Sequence, residues 1–500
     1  MDLQSGTPLL VGIKGEKTSL GMIRQLKSLN PAGVLFLARN IKKPIQLSSL
    51  TQEITQRLGR KILFSIDHEG GNVVRFSGGL TAFPSAMAMG RMHDPKIAYA
   101  VGRQMGLELS ALGINLNLAP VLDVASRSYN PGIGIRAWSA DVKMVTKMGK
   151  AFIQGLQDRG VFACVKHFPG MGEARLDPHI HVPIIDASKN SLKKNHLPPF
   201  EAAIQAGVCA VMTSHICYPK LDSQLATFSR KIVSDLLRKK MGFTGLVISD
   251  DLSMGAIGKS CRSISEAAVQ SFEAGHDLII IASHEEKSQK EAAEALMKAS
   301  QKNSALADAL HSSVLKVSAL LNLKNIRGFS LQKPNLKTGA TLAAKISQKT
   351  ILFLRTGKIK FPLKPEERPL IVVFPKLSEI KTRFVFEGGP LNPQRFIKER
   401  LKKWGHFRLI ESPIKSPPPK KILAEIKKAH RVLFFCFEAQ RFGGQKKILQ
   451  FINQTNPAET VVVLLRGPAD LPLIDPNFTV IDPAGDRLCQ INAALEVIFQ

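Results

Sequence analysis

The chain predicts an α/β protein: a (β/α)8 barrel of the TIM type, followed by a smaller α/β domain with a mostly parallel sheet. Three observations carry this expectation. At 500 residues the chain is too long for one compact core of ordinary size, so two domains are the default. Eight short apolar, β-branched runs punctuate the first 285 residues, with amphipathic helical stretches between most of them. That alternation implies parallel strands with crossover helices, and eight is the number that closes a barrel. Finally, the polar residues cluster directly after these runs, at what would be the carboxyl ends of the strands.

In order, the runs are Leu9–Ile13, Gly33–Leu37, Ile62–Ile66, Ile114–Val121, Val161–Val165, Ala210–Thr213, Leu246–Ser249 and Leu278–Ala282. A helix is predicted over Asp141–Gly160, where Val145, Met148, Phe152 and Leu156 recur at helical spacing. The connection between the fourth and fifth runs is longer and holds SRSYNPGIGIRAWSAD, so an irregular loop precedes that helix. A helical stretch over Glu285–Leu323 follows the eighth run, then a polar linker around Arg327–Gly339. Further strand-like runs are Thr350–Leu354, Leu370–Phe374, Arg431–Phe437, Thr460–Leu465 and Phe478–Ile481, with helical segments at Pro393–Lys403 and Lys420–Ala429 between them. The prolines of Ser412–Lys421 mark a surface loop. The expected division is a barrel over 1–330, a linker over 331–345 and a second domain over 346–500.

Composition narrows the function classes. At 44% apolar and 22% charged residues the chain is globular, neither disordered nor a membrane bundle. No stretch approaches the roughly 18 uninterrupted apolar residues of a spanning helix. MDLQSGTPLLVGIKGEK has no basic start, long apolar core or small-residue cleavage site, which makes the cytoplasm the expected location. The six cysteines lack any metal-ligand spacing and read as reduced thiols. The net charge of +29 raises nucleic-acid binding as a possibility. The basic residues are nonetheless spread along the chain, including helix faces such as Lys231–Lys240, with no nucleic-acid motif, so a solvated basic surface suited to an anionic substrate is the reading.

Two segments carry the chemistry: KHFPGMGEARLDPH from Lys166 to His179, and ISDDLSM from Ile248 to Met254. The first sets Asp177 and His179 two positions apart in a Gly-rich loop; the second sets Asp250 at the end of an apolar run. A proton-trading group near pH 7 and an ionised carboxylate are what glycosidic-bond cleavage through a covalent intermediate requires. Around them, Asp67 and Glu69 follow the third run, Asp123 the fourth, Lys166 and His167 the fifth, His215 the sixth, and Asp250 and Asp251 the seventh. In a closed barrel these ends converge on one face. Each has a structural alternative: Asp250 as a helix N-cap, Asp123 as a brace of the pocket floor, the arginines as loop-bracing ion pairs. His179 and His181 have no third ligand at suitable spacing, so no metal is expected.

The segments GVLFLARNIKKPIQLSSL, DHEGGNVVRF, LNLAPVLDV, NPGIGIRAW, KHFPGMGEARLDPHIHVP and ISDDLSM occur in the order of a known family. The first 285 residues resemble glycoside hydrolase family 3, specifically its β-N-acetylhexosaminidase branch. The second domain loosely resembles the extra C-terminal α/β domain of some members. The resemblance implies a retaining mechanism in which Asp250 is the nucleophile, His179 the general acid and then base, and Asp177 the carboxylate that orients the ring. Imidazole titrates near neutrality and suits both proton transfers. An exposed strand end surrounded by Lys166, Arg75 and Arg136 would keep Asp250 ionised. The resemblance also assigns Asp67, Arg75, Arg136, Lys166 and His167 to sugar hydroxyls, a task that favours charge-assisted bonds. Gly70, Gly71, Gly170 and Gly172 permit tight turns near the ligand. No metal or organic cofactor is implied.

The usual loop reads close to KHFPGHGDTxxDSH. Here Met171, Glu173, Ala174 and Pro178 depart from it while the Asp-x-His pair survives. The expected activity is removal of terminal, non-reducing GlcNAc, with a muropeptide-type fragment of cell-wall recycling as substrate. The protein is expected as a monomer or homodimer, without nucleic-acid partner or membrane insertion. Three rivals are a family 3 β-glucosidase, a GlcNAc phosphorylase and a non-catalytic sugar-binding protein.

Overall fold

The computed structural model describes residues 6–76, 78–178, 181–323, 335–364, 370–380, 393–405, 407–455, 457 and 459–500, without the side chains of 393 and 394. Eight parallel strands close a barrel: β1 (Thr7–Gly12), β2 (Pro31–Phe36), β3 (Leu63–Ile66), β4 (Leu116–Asn117), β5 (Phe162–Phe168), β6 (Ala210–Thr213), β7 (Leu246–Asp251) and β8 (Leu278–Ile281). Sequential strands pair all the way round, and β1 closes on β8 through Leu9–Ile279, Leu10–Ile280 and Val11–Ile281. The strands are mostly apolar because both faces are covered, with the polar residues concentrated towards their carboxyl ends. Leu10, Leu63, Leu116, Cys164, Met212, Ile248 and Ile280 pack together in the barrel interior, while Leu9, Val11, Val34, Phe36 and Phe64 pack in the surrounding core with the helices.

The helix after the long loop runs from Val142 to Gln157 with Asp141 as its N-cap, accepting from Lys143 N. The helical stretch expected over 285–323 is two helices, Glu286–Lys302 and Ser304–Leu321, divided at Asn303, whose side chain caps the second by accepting from Leu306 N. Of the expected polar linker, residues 327–334 lie outside the described residues, and the chain is helical from Leu336 to Lys349. That helix can carry the connection because it packs on both sides, against the barrel helix Pro95–Ser110 and the final helix Leu488–Phe499, and buries Ala343 and Ile346.

The second sheet contains β9 (Leu352–Arg355), β10 (Leu370–Pro375), β11 (Phe407–Ser412), β12 (Arg431–Cys436), β13 (Glu459–Leu464) and β14 (Thr479–Asp482) in the order β9-β14-β13-β12-β10-β11. All neighbours are parallel except β9, which runs antiparallel to β14. Strand β11 was not expected. It lies on the edge with Arg408 and Glu411 exposed, so FRLIES lacks the unbroken apolar run that marks its neighbours. After β11 the chain crosses back to lay β12 on the other side of β10, which makes the β10/β12 junction a topological switch point.

The carboxyl ends of this sheet meet the barrel. Arg91 donates through Nη2 to Asp482 and through Nη1 to the carbonyls of Thr350 and Asp482, at 3.1 and 3.0 Å. Ser85 Oγ donates to Ala484 O at 2.5 Å, and Arg487 Nε donates to Gly71 O. Among the described residues no helix is long and apolar enough to cross a membrane.

Candidate active site

One pocket at the carboxyl ends of the barrel strands is lined by Asp67, Arg75, Arg136, Lys166, His167, Asp177 and Asp250, seven of the eight residues to which the resemblance assigns a catalytic or sugar-binding role. The eighth, His179, lies outside the described residues.

A contiguous chain of charges forms the pocket wall. Lys166, on β5, donates to Asp67 Oδ1 at 2.7 Å and pairs with Glu69 Oε1 at 2.7 Å. Arg75 Nη2 donates to Asp67 Oδ2 at 2.7 Å. Arg136 grips Glu69 with two bonds, Nε to Oε2 at 2.9 Å and Nη2 to Oε1 at 2.8 Å, the fork geometry that guanidinium suits. Burial alone would raise the Asp67 carboxyl, but Lys166 and Arg75 outweigh it and hold it well below the usual carboxylate range. Burial likewise opposes ionisation of Glu69, yet Arg136 and then Lys166 bring it down to about 2. Desolvation disfavours the Lys166 ammonium, and Asp67 with Glu69 more than restores it. The wall is therefore fully ionised at neutral pH and presents fixed charge-assisted partners to hydroxyl groups.

His167 extends this chain. Its Nδ1 lies 2.7 Å from Asp123 Oδ2, and its Nε2 lies 3.4 Å from Arg136 Nη2. A guanidinium only donates, so Nε2 accepts and the ring proton sits on Nδ1, facing Asp123. Asp123 also accepts from Met171 N at 2.6 Å and anchors the start of the Gly-rich loop. It is fully buried and does not line the pocket.

At the end of β7, Asp250 faces the pocket, and its Oδ1 accepts from Asp251 N at 2.8 Å. Asp251 Oδ1 accepts from Ser253 N and Ala282 N at 3.0 and 2.9 Å, which ties β7 to β8. His215 Nε2 donates to Asp251 O at 3.1 Å. Lys166, Arg75 and Arg136, expected around Asp250, line the same pocket and pair with Asp67 and Glu69.

The loop with Asp177 is pinned at several points. Asn130 Nδ2 donates to Met171 O and Gly172 O at 2.9 and 3.1 Å. Ala256 N, just past β7, donates to Pro178 O at 3.2 Å. A Cβ on Gly172 would stand 1.7 Å from Val124 O, so only glycine fits there. The departures in this loop have local partners: Met171 is buried against the pocket, and Glu173 Oε1 receives His196 Nε2 at 3.0 Å. On the other side, the turn after Glu69 uses Gly70 and Gly71 at φ 88° and 54°.

Several pocket residues had no role assigned in the sequence. Glu69 stood at a strand end without one. Glu438, Arg441 and Arg466 come from the second domain and also line the pocket. Their signal is the one used for the barrel: VLFFCFEAQR and VVVLLRG are apolar runs ending in charge, and β12 and β13 end just before Glu438 and Arg466. Among the described residues no group of three or more His, Cys, Asp or Glu could hold a metal ion.

A closed parallel barrel whose mouth gathers two sets of carboxylates beside a cation-braced wall is the architecture of a glycoside-cleaving barrel enzyme. Comparison with known proteins gives the particular group. The profile described as Glycosyl hydrolase family 3 N terminal domain matches residues 11–317, and the chain belongs to glycoside hydrolase family 3. It is 34% identical over 285 residues to a protein from Thiobacillus denitrificans named beta-hexosaminidase, covering 56% of this chain and 79% of that one. The structure of a family 3 β-N-acetylglucosaminidase from Paenibacillus sp. FPU-7 superposes with a TM-score of 0.89 at 29% identity, covering 100% of this chain and 96% of that one. NagZ from Neisseria gonorrhoeae, solved with N-trifluoroacetyl-D-glucosamine, matches 68% of this chain and 98% of its own, with a TM-score of 0.55 and 28% identity. The chain is a glycoside hydrolase of the β-hexosaminidase type.

Proposed function

We propose that the protein is a retaining, exo-acting β-N-acetylglucosaminidase that removes terminal, non-reducing GlcNAc. The observation that carries this is the meeting of Asp250 and Asp177 in one pocket with the Asp67–Lys166–Glu69–Arg136 wall. In this reading Asp250 attacks the anomeric carbon. His179, oriented by Asp177, protonates the leaving oxygen and then deprotonates the incoming water. Asp67, Arg75, Arg136, Lys166 and His167 hold the sugar hydroxyls. The buried, ionised wall supports that role, since pre-oriented charged partners bind hydroxyls without reorganising during the reaction. The names of the relatives support GlcNAc as the sugar.

The natural substrate in this proposal is a muropeptide-type fragment, GlcNAc linked to (1,6-anhydro)muramic acid, processed in the cytoplasm during peptidoglycan recycling. The net charge of +29 favours encounter with such carboxylate-bearing substrates. The test is trapping with a 5-fluoro GlcNAc donor followed by peptide mapping. A label on Asp250 is expected, and a label elsewhere overturns the assignment. Asp250→Ala should lower kcat on nitrophenyl β-GlcNAc by at least about a thousandfold, as loss of a covalent nucleophile does. Full activity in that variant would refute the nucleophile.

A further inference from the structure

We propose that Arg441, supplied by the second domain, is a positioning residue for the acid/base pair, holding the Asp177 carboxylate in its working orientation; this rests on the proposed role of Asp177. Arg441 Nη2 donates to Asp177 Oδ2 at 3.4 Å, across 264 positions of sequence and from one domain to the other. Both residues line the pocket that contains Asp250.

Arg441 reaches Asp177 from a turn that is itself fixed. The backbone N–H groups of Arg441 and Phe442 each donate to Glu438 O at 2.9 Å. Asp470 braces the same turn, accepting from Ala439 N and Gln440 N at 2.9 Å each. The guanidinium is held on its other side by Glu438 Oε2 at 3.7 Å and lies over the Phe442 ring, 5.4 Å from its centroid. Glu438, which begins this turn, takes φ 43°, a left-handed conformation that a non-glycine residue adopts at a cost when the surroundings demand it. The turn follows β12, next to the switch point of the second sheet, where doubly wound sheets present their functional groups.

The physical consequence concerns the second oxygen of Asp177. A carboxylate serves donors on both oxygens. With Oδ2 engaged by a guanidinium carried on a braced turn, rotation of the carboxylate is restricted and Oδ1 is aimed consistently. The imidazole that Asp177 orients in the proposed mechanism then has a defined partner instead of a rotating one. The loop backbone is held independently from the barrel side, through Asn130, Asp123 and Ala256, so Arg441 acts on the side chain and not on the course of the loop.

The test exploits leaving-group dependence in the full-length protein. Loss of acid assistance slows departure of a basic leaving group and leaves a self-sufficient one nearly untouched. Arg441→Ala should lower kcat/KM for phenyl β-GlcNAc by at least about tenfold, and for 2,4-dinitrophenyl β-GlcNAc by less than about threefold. Arg441→Lys, which keeps the cation, should recover part of the loss. In an Asp177→Asn background, Arg441→Ala should cost nothing further on the phenyl substrate, because the two residues act as a unit. Equal losses on the two substrates, or an additive loss in the double variant, would show a mere domain brace and overturn the proposal. If Asp177→Asn alone shows no preference for the activated substrate, the dyad itself fails and this inference with it; if it does and Arg441→Ala does not, only the positioning role falls. Thermal scans of each variant separate these effects from unfolding.

Discussion

His276 illustrates how single residues in this barrel are tied to pH. Its Nδ1 lies 2.7 Å from Ser271 O and its Nε2 2.9 Å from Thr213 Oγ1. The carbonyl requires a proton on Nδ1, and in the neutral ring that burial favours Nε2 accepts from the Thr213 hydroxyl. Burial lowers its pKa to about 4; hydrogen bonding to Ser271 and the charge of Asp277 oppose this, while Arg238 and His215 add to it. The unfolded chain takes up this proton near pH 6.5 and the folded chain only near 4. Stability attributable to His276 is therefore present above about pH 6.5 and lost as pH falls towards 4, at up to about 1.4 kcal/mol per pH unit. Denaturant unfolding between pH 7.5 and 4.5 should show a shallower decline in His276→Gln than in the parent; an unchanged slope would contradict the buried neutral ring. The wall carboxylates behave differently. Glu69, held at about 2, contributes stability above the unfolded carboxylate range and loses it only in stronger acid. At this scale the sequence was informative wherever a charge followed an apolar run. It could not show that Lys166 spends its charge on both Asp67 and Glu69, because those partners meet only when β3 and β5 curve into one barrel.

In the proposed mechanism, the loop from Met171 to Pro178 is the element on which the chemistry depends most. Its ends are bonded to Asp123 and Ala256, and its middle approaches Val124 closely at Gly172. A methyl group at that position would collide with backbone, not with a movable side chain, so the loop must shift. Gly172→Ala should cost about 1–3 kcal/mol of stability and, by displacing Asp177, about a hundredfold in kcat/KM. Kinetics and a denaturant titration on the same preparation check both parts, and a variant of unchanged kcat/KM would show that the loop's placement is not critical. Met171 and Ala174, which look like losses of polar contact in sequence, are buried side chains of a packed loop. The barrel strands were legible because strands covered on both faces are mostly apolar. Edge strand β11 and the two short antiparallel ribbons at His68–Val74 and Cys217–Leu225 lack that pattern and were not.

At the scale of the whole molecule, the two sheets face each other by their carboxyl ends, and the pocket takes residues from both. Arg91 joins them: its guanidinium serves Asp482, which is fully buried, and two carbonyls. Burial raises the Asp482 carboxyl, and Arg91 is the main opposing influence. Arg91→Ala would strand that carboxylate at the interface, with an expected loss of about 3–5 kcal/mol and a matching fall in thermal stability. Arg91→Ala, Asp482→Ala together should recover a good part of it, and failure to do so would show that the pair is not the source of the loss.

By itself, the sequence determined the barrel, a mostly parallel second sheet and seven side chains of the pocket. Hydrophobic periodicity is a local property, and the position of a charge at a strand end is readable beside it. Only the tertiary structure decided that the second domain furnishes Glu438, Arg441 and Arg466 to the same pocket. Contacts between residues some 260 positions apart depend on how the two sheets dock, and no local pattern encodes that approach.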